Sequence, residues 1–304
     1  MTSVQSAQIE YVAGGMRGSR IAAGIMRLLD WNLTPEGLVG WIEAALDMGV
    51  TTFDHADIYG GYRVEEEFGK ALALKPALRE HMQIVTKCGI HLVNPRRPQN
   101  RKHYYETTRA HIVWSAENSL RMLNTDYLDL LLIHRPDPLM DADEVAAAFD
   151  QLKGKVRHFG VSNFTPSQFD LLQSRLDFPL TTNQIEFSPL NVAPALDGTL
   201  DQMQRLRRLP QSWSPVGGRR FFTLETEQSR RVMDVLTRIA ANHGGAGVDQ
   251  VALAFVLAHP ARPVAVIGTG KLDRVQAAVE AESLTLDRQE WFEIWEASLG
   301  HEVP

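Results

Sequence analysis

Eight β-then-α units in succession predict a (β/α)8 TIM barrel with an additional C-terminal helix, organised as a single domain over residues 1–304. Three observations carry this. Short apolar runs of strand length alternate with amphipathic runs of helical period. Helix punctuation separates them: Thr34-Pro35-Glu36 sets an N-cap before a proline at the first helical position, and Gly49 follows the same helix as a C-cap glycine. Polar side chains close several of the strand-like runs, at ends that a closed barrel opens onto one face. No low-complexity stretch or Pro/Gly/Ser linker divides the chain. GGMRG at 14–18 precedes the first barrel strand and opens no helix, so it reads as a turn; a doubly wound sheet lacks its usual phosphate loop.

Taken in order, Arg20–Ile25 is the first strand, and the Thr34-Pro35 cap opens a helix over Leu38–Met48. Val50–Phe53 is the second strand, running into DHADIYG and a helix over Val64–Leu74. Gln83–Thr86 ends on Lys87 and precedes the helix His111–Leu123. Leu128–Ile133 ends on His134, and Ala142–Leu152 follows as a helix. Val156–Val161 leads to a second Thr-Pro cap, Thr165-Pro166, opening the helix Pro166–Ser174. Thr181–Ile185 pairs with the helix Thr199–Leu206, and Gln211–Ser214 with a double-length helix over Thr226–Ala258. Val264–Ile267 closes the barrel, and helices Leu272–Ala281 and Arg288–Leu299 end the chain.

Composition narrows the class. Hydrophobic content of 44 % and charged content of 22 % are ordinary for a globular enzyme. A net charge of −6 argues against nucleic acid or an anionic membrane as partner. The single cysteine, Cys88, rules out an internal disulfide framework and a Cys-rich zinc site, and fits a reducing cytoplasm. If Lys87 faces the barrel interior, Cys88 faces the helices as inert core. No apolar run approaches the roughly 20 residues of a membrane helix, and MTSVQSAQIEYVAGG has no signal-peptide core. The expectation is a soluble cytoplasmic enzyme with a small-molecule partner. His91, His103 and His111 lack a partner at metal-ligand spacing and read as loop or helix-surface residues, so no metal is expected.

The strand ends carry the chemistry. Asp54 and Tyr59 follow the second strand, Lys87 the third and His134 the fourth. Each has a bland alternative as a packing residue, a surface cap or a core histidine; together, on one barrel mouth, they form a catalytic cluster. A buried lysine needs a counter-ion, which Asp54 supplies. A cation beside a phenol stabilises phenolate, so Tyr59 is expected to sit below the free value of about 10. A neutral His134 can donate a hydrogen bond to a carbonyl oxygen. The set has neither a nucleophile with a base at hand nor convergent metal ligands, and suits protonation of an oxygen while another group delivers hydride.

The motifs DHADIYG, IVTKCG, LLLIHRPDP, GKVRHFGVSNF, TTNQIEFSPL, SWSPVGG and VAVIGTGKLDRVQAA, in this order and spacing, resemble the aldo-keto reductase superfamily over essentially the whole chain. DHADIYGGY and HRPDPLMDADEVA are similar to its bacterial YdhF-like branch. The resemblance implies that Asp54, Tyr59, Lys87 and His134 are the catalytic tetrad, with Tyr59 as proton donor, and that the cofactor is NADPH. It implies nicotinamide contacts from Ser162, Asn163 and Gln184, ring stacking by Trp213, and pyrophosphate cover from Ser214 and Val216. It also implies cofactor contacts from Ile25 and Met26, and from Gly268, Thr269, Gly270, Lys271 and Arg274 around the 2′-phosphate. The family's acidic and amide pair over the adenine falls on Ala277 and Ala278 here, which implies weaker contact there. GTGKLDR has its own reading: it follows a strand and opens a helix, so backbone N–H groups, the helix dipole and two cations favour an anion.

Trp31, Tyr62, Leu92 and Tyr104 are the candidate substrate-lining residues of the mouth loops, suggesting an apolar or aromatic carbonyl compound. The loop from Gly89 to Tyr105 also carries Arg96, Arg97, Arg101 and Lys102, so an acidic substituent fits too. The leading function is NADPH-dependent reduction of aldehydes or ketones to alcohols; the alternative is an NADPH-sensing binding module with little turnover.

Overall fold

Alternation of side chains across short strands, each followed by a helix that covers its outward face, closes this chain into a barrel. The structure, a computed structural model, describes residues 4–304. A hairpin of β1 (Gln8–Glu10) and β2 (Arg17–Ser19) comes first, then β3 (Ile21–Gly24), α1 (Pro35–Asp47) and β4 (Thr52–Asp54). A single turn α2 (Tyr59–Tyr62) leads to α3 (Val64–Leu74), β5 (Gln83–Cys88), β6 (Ile90–His91), β7 (Tyr104–Tyr105) and α4 (Arg109–Met122). Next are β8 (Leu128–Ile133), α5 (Ala142–Leu152), β9 (Val156–Ser162), α6 (Pro166–Gln173), β10 (Asn183–Glu186) and α7 (Thr199–Leu206). The chain ends with β11 (Gln211–Trp213), α8 (Arg219–Thr223), α9 (Glu227–Asn242), α10 (Val248–Leu257), β12 (Val264–Ile267), α11 (Leu272–Glu280) and α12 (Arg288–Leu299). Strands β3, β4, β5, β8, β9, β10, β11 and β12 form a closed barrel whose neighbours pair in parallel. The expected barrel and C-terminal helix are present.

The caps behave as the sequence implies. Thr34 accepts the Gly37 N–H at the start of α1, and Thr165 forms a reciprocal box with Gln168 on α6. Gly49 sits at φ 76, where a side chain would be strained. The double-length helix is in fact two, because Gly244 and Gly245 adopt φ 70 and 79 between α9 and α10 and turn the chain.

The interior is layered. Ala22, Val85, Leu130, Leu132, Val264 and Val266 form an apolar floor with Tyr11, Met16 and Leu209. Tyr11 and Met16 come from the β1–β2 hairpin, so GGMRG spans a turn and the start of β2 that plug the barrel's bottom. The Tyr11 hydroxyl donates to the Ser19 carbonyl at 2.9 Å and lies 3.3 Å from the Thr52 hydroxyl. One pleat above the floor, the same strand faces present Asp54, Lys87, Gln184 and Gln211. Cys88 packs outward among the helices, as expected, and burial pushes its thiol pKa well up.

Candidate active site

Parallel pairing sets the site's register: Asp54 lies opposite Val85, and Lys87 opposite Leu132, two residues before His134. Lys87 Nζ therefore meets both Asp54 oxygens, at 2.8 and 2.7 Å, and also the His55 carbonyl at 2.7 Å. The Tyr59 hydroxyl is 3.1 Å from the same nitrogen. Lys87 is 1 % exposed and Asp54 3 %, so the pair is dry and fully satisfied. Gln184 Nε2 donates to Asp54 Oδ1 at 2.8 Å and Gln211 Oε1 at 2.8 Å, fixing the carboxylate from the far wall.

Tyr59 reaches the lysine because the chain turns sharply after it. Gly60, Gly61 and Tyr62 have φ of 57, 66 and 67 in succession. A Cβ on Gly60 would sit 2.7 Å from Leu29 Cδ1 and 2.8 Å from Val64 Cγ2, so glycine serves both backbone and space there. The His134 ring stands edge-on to Tyr59 with centroids 5.9 Å apart.

The electrostatics correct one expectation. Although part of its ring is open at the mouth, burial raises the Tyr59 pKa above the phenol value, against the lowering by Lys87; Asp54 adds to the rise. Lys87 still draws the phenol down, through its charge and its hydrogen bond, but burial outweighs it. Burial also opposes the charge on Lys87, but Asp54 and Tyr59 outweigh it and hold its pKa high. Burial, then Lys87 and Arg135, push His134 well down, leaving it neutral with an unpartnered Nδ1. Between the barrel wall and α4, where Ser115 and Ser119 donate to them, burial raises Asp57 to about 8 and Glu65 to about 7.

The remaining sequence-predicted residues surround this centre. The Ser162 hydroxyl and the Asn163 N–H both donate to the Gln184 carbonyl, at 2.8 and 2.9 Å. Asn163, at φ 61, spends its side chain on the Ser162 hydroxyl, the His134 carbonyl and the Trp213 indole N–H. Ser214 at φ 48, with Gly217 and Gly218 also left-handed, bends the loop that carries Val216. Ile25 is buried, its N–H bound to the Asp54 carbonyl, whereas Met26 is exposed at the mouth. Gly268, Thr269 and Gly270 lead into α11, whose N-cap residue Lys271 makes no side-chain cap; Lys271 and Arg274 are exposed and form no ion pair among the described residues. A helix start flanked by these two exposed cations fits a phosphate group, although Thr269 Oγ1 and Asp273 Oδ1 already accept the Lys271 and Arg274 N–H groups. Ala278 is buried and Ala277 partly so.

Of the mouth residues, Trp31 packs on Trp41 and against Gly270, where an added Cβ would come within 2.5 Å of its ring. It thus borders the phosphate-type loop. Tyr62 accepts the Leu92 N–H at 2.8 Å, so both brace the loop after β5, and Tyr104 stacks on His91 at an interplanar angle of 3°. Sequence reasoning missed Gln211, which only its strand alternation with Trp213 marks as inward, and Arg135, whose guanidinium lies 5.7 Å from the Trp213 ring. It also missed the β6–β7 ladder, which brings His91, Glu106 and His111 together with ligand atoms within 4.8 Å. His111 is 9 % exposed rather than on the surface. Burial, together with His91 and Arg97 and against Glu106, lowers its pKa to about 4.

Residues 20–298 match the aldo/keto reductase family model. Oxidoreductase YdhF of Escherichia coli is 56 % identical, over 95 % of this chain and 97 % of its own length. A 6-dehydroglucose reductase of Agrobacterium fabrum is 45 % identical, over 94 % and 96 %. The structure of glycerol dehydrogenase AKR11B4 from Gluconobacter oxydans superposes with a TM-score of 0.79 at 25 % identity, covering 99 % of this chain and 96 % of that one.

Proposed function

The chain belongs to the aldo/keto reductase family, and from that premise we propose that it reduces aldehyde or ketone carbonyls to alcohols with NADPH, Tyr59 giving the proton. The observation that carries the reading is Lys87 Nζ, held on Asp54 and in reach of the Tyr59 hydroxyl at 3.1 Å. When bound, the nicotinamide supplies hydride to the carbonyl carbon. The chain's own residues do the rest. Tyr59 keeps its proton because its pKa is raised, and releases it to the oxygen as alkoxide character develops there, an acceptor far more basic than a phenolate. Lys87 then stabilises the phenolate across the existing contact. Neutral His134 orients the carbonyl oxygen by hydrogen bonding and adds no competing acid. Ser162, Asn163, Gln184 and Trp213 would hold the nicotinamide; Lys271 and Arg274 at the α11 terminus would hold the 2′-phosphate.

The substrate is a small carbonyl compound. The names 6-dehydroglucose reductase and glycerol dehydrogenase among the relatives favour a hydroxylated one over a bare aromatic aldehyde. Tyr59→Phe is expected to abolish reduction of a test aldehyde while NADPH still quenches the intrinsic fluorescence as in the parent. Turnover within tenfold of the parent would sink the assignment of the proton donor, since positioned acids contribute about 10²–10⁴-fold.

A further inference from the structure

We propose that His91, Glu106 and His111 form a three-ligand site for a divalent transition metal, zinc above all, which clamps the loop of residues 92–105 onto the first turn of α4. The three residues come from three local elements: His91 from β6, Glu106 directly after β7, and His111 from the start of α4. Among the described residues no other grouping of three His, Cys, Asp or Glu side chains converges within ligating distance.

Several features of the grouping exceed chance proximity. His111 Nε2 is buried without a hydrogen-bond partner, a costly state for a polar atom. His91 Nε2 lies 3.0 Å from Glu106 Oε2, so two of the three donor atoms already meet. The rings are held: Tyr104 stacks on His91, and His91 and His111 have centroids 4.3 Å apart. Two imidazoles and one carboxylate are a common zinc donor set that leaves a coordination position open. Tetrahedral zinc, with donors at about 2.0–2.1 Å, spaces them about 3.3 Å apart. The ligand atoms lie within 4.8 Å of one another, so binding an ion would draw them inward by up to about 1.5 Å. The Glu106 side chain is 34 % exposed, which leaves an entry path.

The surrounding charge selects the ion. Arg97 lies over the Tyr62 and Trp114 rings, 4.8 and 5.0 Å from their centroids, and close enough to lower the pKa of both histidines. With one carboxylate against that cation, the site offers little to magnesium or calcium, which need oxygen ligands and charge. It suits ions that gain from imidazole nitrogen. The clamp would act on the loop bearing Leu92 and Tyr104, apart from the tetrad.

The test uses the full chain, stripped with a chelator and dialysed. Zinc added in competition with a chromogenic chelator should bind one equivalent per chain. His111→Gln should weaken binding by at least the roughly 10–100-fold that even supporting partners of a metal site command, and Glu106→Gln, at an open position, supplies the same reading should His111→Gln fold poorly. Cobalt in place of zinc should give the intense visible bands of a four- or five-coordinate site in the parent alone. Zinc should slow tryptic cleavage at Arg101 and Lys102 in the parent and not in the variants. Equal zinc affinity in parent and both variants, or no zinc-dependent protection of the loop, would overturn the proposal.

Discussion

The two halves of the barrel mouth are built on opposite terms. On the side of β4, β5 and β8, polar groups are buried and saturated by protein partners: Lys87 contacts both Asp54 oxygens, a carbonyl and a phenol. On the side of β12 and α11, the exposed Lys271 and Arg274 side chains stand without an ion-pair partner among the described residues. The first half is organised without a ligand; the second, on the proposed reading, would be completed by one. Damage to the first should register in stability and turnover together, and damage to the second in affinity alone.

The sharpest way to break that contrast is to remove Lys87. Lys87→Met leaves the Asp54 carboxylate buried and unpaired, so unfolding measurements should show a loss of about 3–5 kcal/mol along with the loss of activity. Adding Asp54→Asn should recover most of the stability and none of the turnover. If the double variant is as unstable as the single, the pair is not what holds this half together.

A smaller effect probes the same dry half through pH. Asp57 and Glu65 have folded pKa values of about 8 and 7, above their unfolded values. The folded state then binds more protons than the unfolded between about pH 4 and 8, so their contribution to stability is full at the acid end and falls as pH rises through that window. Melting temperature should drop from pH 5.5 to pH 8.5. Asp57→Asn, which keeps the backbone bond from its N–H to the Lys87 carbonyl, should flatten the slope; an unchanged slope would mean that Asp57 is already ionised.

The smallest expected change lies on the open half. Arg274→Ala should weaken NADPH by about 10–100-fold, the range for one charge-assisted contact of about 1.5–3 kcal/mol, while NADH affinity and melting temperature stay as in the parent. Equal weakening of both cofactors would move the 2′-phosphate away from α11.

What the sequence makes legible follows from the range of the forces involved. Strand and helix periods are local, which is why β8, β12, α3, α5, α7 and α12 have the expected bounds to the residue. The tetrad is legible because Asp54, Lys87 and His134 sit in or next to strand ends, where register alone delivers them. The split of α9 from α10 was marked by Gly244-Gly245, a signal outweighed by the amphipathic pattern running through it. The direction of the Tyr59 pKa is not legible, since it depends on how deeply the folded chain buries the phenol against the pull of Lys87. Nor was the meeting of His91 with Glu106 and His111, which depends on a two-residue ladder, Ile90–His91 with Tyr104–Tyr105, too short to leave a period.

The hairpin that plugs the barrel's bottom has a consequence for proton traffic. Tyr11, Met16 and the apolar layer above them close the route from below to the Lys87–Asp54 pair. On the proposed mechanism, a phenolate at Tyr59 would therefore be recharged from the mouth, the side from which product would leave. Proton replacement would then wait on product movement, and the proposed acid would be a single-shot device reset once per turnover.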